Sequence, residues 1–333
     1  MTEAPGGPQA PGGTPQRSAM RHPSTETVPP RGHPRTADGP PEAREAPARE
    51  ASVASAPGYN PRRTLPLRVE AIRQLRRRRT MVAALILLAL PWILVGAFEL
   101  GGPPKPGSGA PELVDLATTG GLNFAAFSFF ASVGFLLVVA VALFCGDTVA
   151  SEAGWGTLRY LLAAPVPRAR LLRQKLVVAL AYSAVAVTSF PLMSLAAGTV
   201  AFGWHPLRLP GTGAVLGADV AVGRMGIVLA YVLATELVVA GLAFLLSVST
   251  DSPLGAVGGA VGLVIVSDIL DAVTALGGWR RVLPTHWQYA WLDAMQPQIS
   301  WGGMLEGGAV SLSYALILFA WAFRHFRAKD IVS

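Results

Sequence analysis

Apolar residues in this chain recur in long runs rather than at alternate positions, and the runs have the length of a bilayer crossing. Six of them predict membrane-spanning helices: about Met81 to Phe98, Phe124 to Phe144, Leu176 to Ala201, Met225 to Ser247, Leu254 to Leu276 and Gly307 to Phe323. Each is near the roughly 20 residues that carry a helix across a hydrocarbon core. Pro91 in the first and Pro191 in the third are tolerable inside a helical bundle, where neighbours re-satisfy the freed backbone groups. Ahead of the first span, Leu67 to Thr80 reads LRVEAIRQLRRRRT, with Val69, Ile72 and Leu75 at helical spacing and Arg73, Arg76 and their neighbours around them. That pattern predicts an amphipathic helix over 67–80 lying on the membrane surface. A basic flank that only orients the first span is the plainer alternative. The fold class expected is an all-α polytopic membrane protein with six transmembrane helices and an interfacial helix before them.

Residues 1–60 interrupt this picture. They hold 12 of the 27 prolines and 7 glycines, with no apolar periodicity from which to build a core, and predict a disordered tail before a six-helix membrane domain over 61–333. Arg17 and Arg21 are followed by no continuous apolar stretch, so a cleaved secretory signal is not expected. The composition agrees with a membrane protein: 52% of residues are hydrophobic and 14% charged, against about 25% charged in soluble domains.

Charge then sets an expected orientation. The first 60 residues are neutral, so the net charge of +7 belongs to the rest of the chain. With both termini inside, the cytoplasmic segments carry 16 Lys and Arg and the outer ones five, namely Lys105, Arg208, Arg224, Arg280 and Arg281. This is the bias that resists translocation. A multi-pass protein of the cell membrane with cytoplasmic termini is therefore expected. The basic residues flank apolar runs without a nucleic-acid readout motif, so no nucleic-acid partner is expected. Arg outnumbers Lys 24 to 3, which points to a GC-rich bacterial genome.

Candidate chemistry is sparse. None of the three lysines, Lys105, Lys175 and Lys329, is followed by Ser or Thr, so the phosphate-wrapping loop of a nucleotide engine is missing. The five histidines are dispersed and Cys145 is the single cysteine, which leaves no zinc site or disulfide framework. No enzyme activity, cofactor or metal is expected in this chain. Active transport would draw on a partner's ATP hydrolysis or on an ion gradient through intramembrane ionisable groups.

The stretch between the second and third spans, Gly146 to Leu176, is the most informative. Glu152 to Leu162 predicts a short helix with Leu158, Leu161 and Leu162 on one side, closed by Pro165 and Pro167, and Arg168 to Lys175 a second basic helix. Its residues Glu152, Gly156, Thr157, Leu158, Arg159, Leu161, Leu162, Pro165, Val166, Arg168, Leu171, Leu172 and Lys175 form a pattern that resembles the coupling-helix loop of type-2 ATP-binding cassette export permeases. The likeness runs from the interfacial helix to a basic end, FRHFRAKDI, over about four fifths of the chain; the tail is outside it. The resemblance implies the transmembrane permease subunit of an ABC exporter, with a cytoplasmic coupling helix between spans 2 and 3. It implies a separate ATPase subunit that binds ATP and Mg and contacts the first helix and the 146–175 loop. It also implies a second permease copy, as a homodimer, or a homologous permease beside it.

Inside the membrane, Glu236 stands near the middle of the fourth span. A charged carboxylate there is costly, so it is expected to face the bundle interior or carry a proton, either on a translocation route or packed against Thr235, Ser183 or Ser194. Asp268 and Asp271 are expected at the outer interface, and Gly255, Gly258, Gly259 and Gly262 give small-xxx-small spacing for close packing within one subunit. Trp279, Trp287, Trp291 and Trp301 suit an aromatic anchor at the outer interface. Two further readings stay open: an ion-coupled secondary transporter using Glu236, and a membrane scaffold or immunity protein that transports nothing.

Overall fold

A computed structural model describes residues 67–101, 112–154 and 168–328. The expected tail over 1–60 and, of the expected coupling helix, Gly156, Thr157, Leu158, Arg159, Leu161 and Leu162 fall outside the described residues.

The protein is an all-α polytopic membrane protein with six helices long and apolar enough to cross a bilayer. Three shorter helices and the six spans follow in chain order: α1 Leu67–Leu75, α2 Arg78–Gly101, α3 Glu112–Leu116, α4 Gly121–Val133, α5 Leu136–Gly154, α6 Arg168–Phe202, α7 Ala218–Ser249, α8 Pro253–Ala272 and α9 Gly302–Ala328. Between α6 and α7 a two-stranded hairpin pairs Leu207 with Leu216 and Arg208 with Val215. Between α8 and α9 the chain runs through 3₁₀ turns at Thr274–Val282, interrupted at Gly277 where φ is +52°, Pro284–Trp287 and Ala290–Met295.

Three elements differ from the sequence pattern. The surface helix expected over 67–80 stops at Leu75; a turn at Arg76 and Arg77 re-aims the chain, and Arg78 already belongs to the first span. The stretch expected as the second span is two helices, α4 and α5, separated at Gly134 and Phe135, and α5 by itself is long and apolar enough to cross. The absence of a side chain at Gly134 admits a neighbour, since a Cβ there would stand 2.6 Å from the Tyr289 hydroxyl. The third span and the basic helix before it are one helix of 35 residues, α6. At 1.5 Å per residue it is about 52 Å long, some 20 Å more than the hydrocarbon core, so one end projects beyond the apolar layer.

The helices differ in how much lipid-facing surface they keep. The apolar window of α5 is 72% buried, whereas those of α2, α8 and α9 are 11%, 17% and 22% buried, so α5 is central and these three are peripheral. α5 packs on α7 and α8, α9 lies along α7, and α4 and α2 both pack on α6. Phe129, Leu137, Val141, Phe190, Val232 and Phe244 are among the core residues that knit α4 to α7 together. α8 begins at a defined point because the Ser252 side chain accepts from the Gly255 N–H and Pro253 opens the helix, the usual arrangement of cap and first-turn proline.

The expectation for the segment between the last two spans needs correction. Trp279 and Trp301 are exposed as anchors should be, but Trp291 is fully buried, with its ring edge-on to Phe129 at 5.9 Å. It is a core residue, because the 3₁₀ segments fold back over α4 and α7 instead of spreading along an interface. The two aspartates at the end of α8 hold this fold-back: Asp271 Oδ1 is 2.6 Å from His286 Nδ1 and 3.3 Å from Arg280 Nε, and Asp268 Oδ1 accepts from Gln288 at 3.1 Å. They are therefore fasteners between elements, not simply interfacial charges. Burial pushes the Tyr289 phenol above its usual range, and the nearby Asp268 carboxylate adds to the effect. Arg224, on α7, donates to the carbonyls of Ala294, Gln296 and Pro297 and so ends the last 3₁₀ segment. Of the α8 glycines, Gly259 faces α7, where an added Cβ would meet Leu246 at 3.1 Å; Gly258 and Gly262 face open space.

Candidate functional site

Two polar places stand out in this apolar bundle. The first is at the end where α1 meets the last turns of α5 and the first turns of α6. Lys175, on α6, is almost fully buried and its Nζ lies 2.6 Å from Glu152 Oε1 on α5 and 3.0 Å from Glu70 Oε1 on α1. Arg73 Nη1 reaches the same Glu152 oxygen at 2.7 Å. Three elements remote in sequence are thus joined around one carboxylate. A buried lysine without such partners would be strongly disfavoured, so burial and pairing imply each other here.

A second pair group continues the seam. Asp147 accepts from Arg77 at 2.6 Å and from Arg79 at 2.8 Å, Arg77 also donates to Ser151 at 2.9 Å, and Gln74 donates to the Phe144 carbonyl at 3.2 Å. From α6, the Tyr182 hydroxyl donates to the Ala71 carbonyl at 2.8 Å. A cleft of about 460 Å³ opens beside these pairs, with Arg78 on its wall. The turn between α7 and α8 closes the other flank of α5, where a Cβ on Gly154 would come within 2.6 Å of the Asp251 carbonyl oxygen. The far ends of α5 and α6 flanking residues 155–167 are therefore held from two sides.

The expected interfacial residues divide as an amphipathic surface helix should. Val69, Ile72 and Leu75 are exposed on α1, forming an apolar row directed away from the bundle. Arg73 turns inward to Glu152, while Arg76 is exposed. Of the expected coupling residues only Glu152 is described, and it is the hub of the ion pairs. Sequence reading passed over Glu70, Asp147 and Gln74, placed Arg77 only within the basic run Arg76 to Arg79, and treated Lys175 only as part of a pattern. Lys175 had a signal: it is one of three lysines in a chain that otherwise uses arginine. A lysine kept at one place suggests a compact ammonium in a tight space.

The second place is inside the membrane. Glu236, on α7, is buried, and its Oε2 has no hydrogen-bond partner among the described residues. The contacts expected for it are taken up elsewhere. Thr235 donates to the Val232 carbonyl at 3.1 Å, Ser194 to the Phe190 carbonyl at 2.9 Å, and Ser183 shares a hydrogen bond with Cys145 at 3.6 Å. Glu236 instead borders a cleft of about 330 Å³ between α5, α6 and α7. Among the described residues no group of three or more His, Cys, Asp or Glu comes together as a metal cage.

No curated protein matches the chain. A family model described as "Protein of unknown function (DUF2705)" matches residues 112–332, from α3 to the end of the last span and just beyond. With most of its length and all but the first of its spans inside that match, the chain belongs to the DUF2705 family.

Proposed function

We propose that this chain is the transmembrane permease subunit of an ABC exporter, seated in the cell membrane with both termini cytoplasmic and driven by a separate ATPase subunit bound below residues 146–175. The observation that carries this reading is the Lys175–Glu152–Glu70/Arg73 cluster. It ties the surface helix α1 to both helices that flank the stretch resembling a coupling loop. A force applied to that stretch by a partner would reach α1, α5 and α6 together, because the linkage is buried and multiply paired. The Lys and Arg bias supports the orientation: the segments 61–80, 146–175 and 324–329 carry 16 Lys and Arg against five in the segments assigned to the outer side. ATP and Mg belong to the partner in this reading, and the substrate path to this chain together with a second permease copy or a homologue.

The test is purification from native membranes in mild detergent, with mass spectrometry of stoichiometric companions. The expected result is an ATPase that carries a phosphate-binding loop. An intact complex without one overturns the reading. In a reconstituted complex, disrupting Glu152 to Leu162 is expected to uncouple ATP hydrolysis from transport without preventing membrane insertion. Unchanged coupling would count against the assignment. One observation favours the rival ion-coupled transporter, namely that Glu236 is buried near the middle of α7 with its Oε2 lacking a hydrogen-bond partner among the described residues. That reading expects gradient-driven flux by this chain alone, abolished by Glu236→Gln.

A further inference from the structure

Glu236 lies 18 residues into α7 from Ala218 and 13 from Ser249. At 1.5 Å per residue these are roughly 27 Å and 20 Å from the helix ends, which places the carboxylate deep in the hydrocarbon layer. Its Oε2 is buried with no hydrogen-bond partner among the described residues, the adjacent Thr235 hydroxyl donates to the Val232 carbonyl of its own helix, and Ser183 in the same cleft shares a hydrogen bond with Cys145. A carboxylate in such surroundings is expensive to keep charged without a counterion.

The surroundings indicate which counterion. The cleft beside Glu236 has a volume of about 330 Å³, at the small end of the range of organic ligand sites. Ser183 is its other polar side chain among the described residues, and Val141, Leu180, Val187, Leu233 and Leu237 supply apolar wall. It opens at Ala184, which is exposed on α6. A hard metal cation takes about six oxygen ligands, more than one carboxylate and one hydroxyl provide. An ammonium needs fewer acceptors, since it brings three donors on one nitrogen, and an apolar body attached to it would replace lipid against the walls.

We propose that this cleft is a binding site for a membrane-soluble amine, with its ammonium on Glu236 and Ser183 and its apolar body along α6 and α7. The site stands on the geometry of α5 to α7 alone and does not depend on the exporter reading.

The experiment uses the full-length protein in nanodiscs of zwitterionic lipid, without an ATPase. The probe is a primary alkylamine carrying a dansyl fluorophore, titrated by fluorescence alongside its N-acetylated, uncharged analogue. Saturable binding of the amine and none of the analogue is expected. Glu236→Gln, nearly the same shape, is expected to weaken binding by about a hundredfold or more, the range for loss of a buried charge-assisted pair. Ala184→Phe, at the exposed mouth, is expected to block entry while leaving the carboxylate in place, and keeps the test decisive if the Gln variant fails to fold. Equal affinity in either folded variant, equal binding of the uncharged analogue, or no saturable binding by the wild type overturns the proposal. Loss of the site would leave the companion-ATPase test untouched.

Discussion

Replacing Lys175 with methionine tests whether the buried ion pairs hold the surface helix to the bundle. The lysine is 2% exposed and meets Glu152, itself about 5% exposed, at 2.6 Å and Glu70 at 3.0 Å. Breaking a fully buried pair by removing one partner costs about 3–5 kcal/mol, chiefly because the other charge is left uncompensated. Here the cost is smaller, for two reasons. Glu152 keeps Arg73 at 2.7 Å, and Glu70 is nearer the surface with Arg73 within 3.5 Å. About 2–3 kcal/mol of destabilisation follows for Lys175→Met, and a double-mutant cycle with Glu152→Gln should show a coupling of roughly 1–3 kcal/mol. Equilibrium unfolding in mixed micelles measures both, and hydrogen exchange over Leu67–Leu75 reports locally whether α1 has come loose. Single variants that add within about 0.5 kcal/mol, or exchange in α1 that does not rise, would refute the reasoning.

Three further outcomes follow from the same geometry. Asp147→Asn should release Arg77 and Arg79 and destabilise by about 1–2 kcal/mol, less than the lysine change because Arg79 is 60% exposed and its pair is partly screened; thermal unfolding of the two variants side by side gives the order. Gly134→Val should cost about 1–3 kcal/mol through its clash with the Tyr289 hydroxyl, and Tyr289→Phe should recover part of the loss. A double variant no better than Gly134→Val would show that the clash is not the cause. Asp271→Ala should raise hydrogen exchange selectively over Thr274–Trp287, since it removes the acceptor for both His286 and Arg280; uniform exchange across the bundle would instead point to a global effect.

The six spans were legible in the sequence because lipid leaves a helix no other place to satisfy its backbone, so apolar length translates into crossings. The exposed row Val69, Ile72 and Leu75 was legible for a similar reason, since a surface helix must sort its faces locally. What sequence could not tell was where a crossing bends or joins its neighbour. Gly134 lies where the helix is interrupted, and Tyr289, from far along the chain, comes close enough there that a Cβ would clash with its hydroxyl. The stretch Arg168 to Lys175 forms one continuous helix with the third span, and its Lys175 has partners on two other elements.

The same division holds for the candidate sites. Sequence alone established that this is a six-span helical membrane protein, that its basic residues gather on one side, and that Glu236 is an unusual residue for its position. Composition and periodicity are local properties, and the bilayer reads them directly. Tertiary structure decided that Glu152 is shared by Lys175 and Arg73, that Trp291 is core while Trp279 is exposed, and that Glu236 borders a cleft with its expected partners engaged elsewhere. These depend on distances between residues remote in the chain. Whether a charge is costly or satisfied is set by what packs beside it, not by its neighbours in sequence.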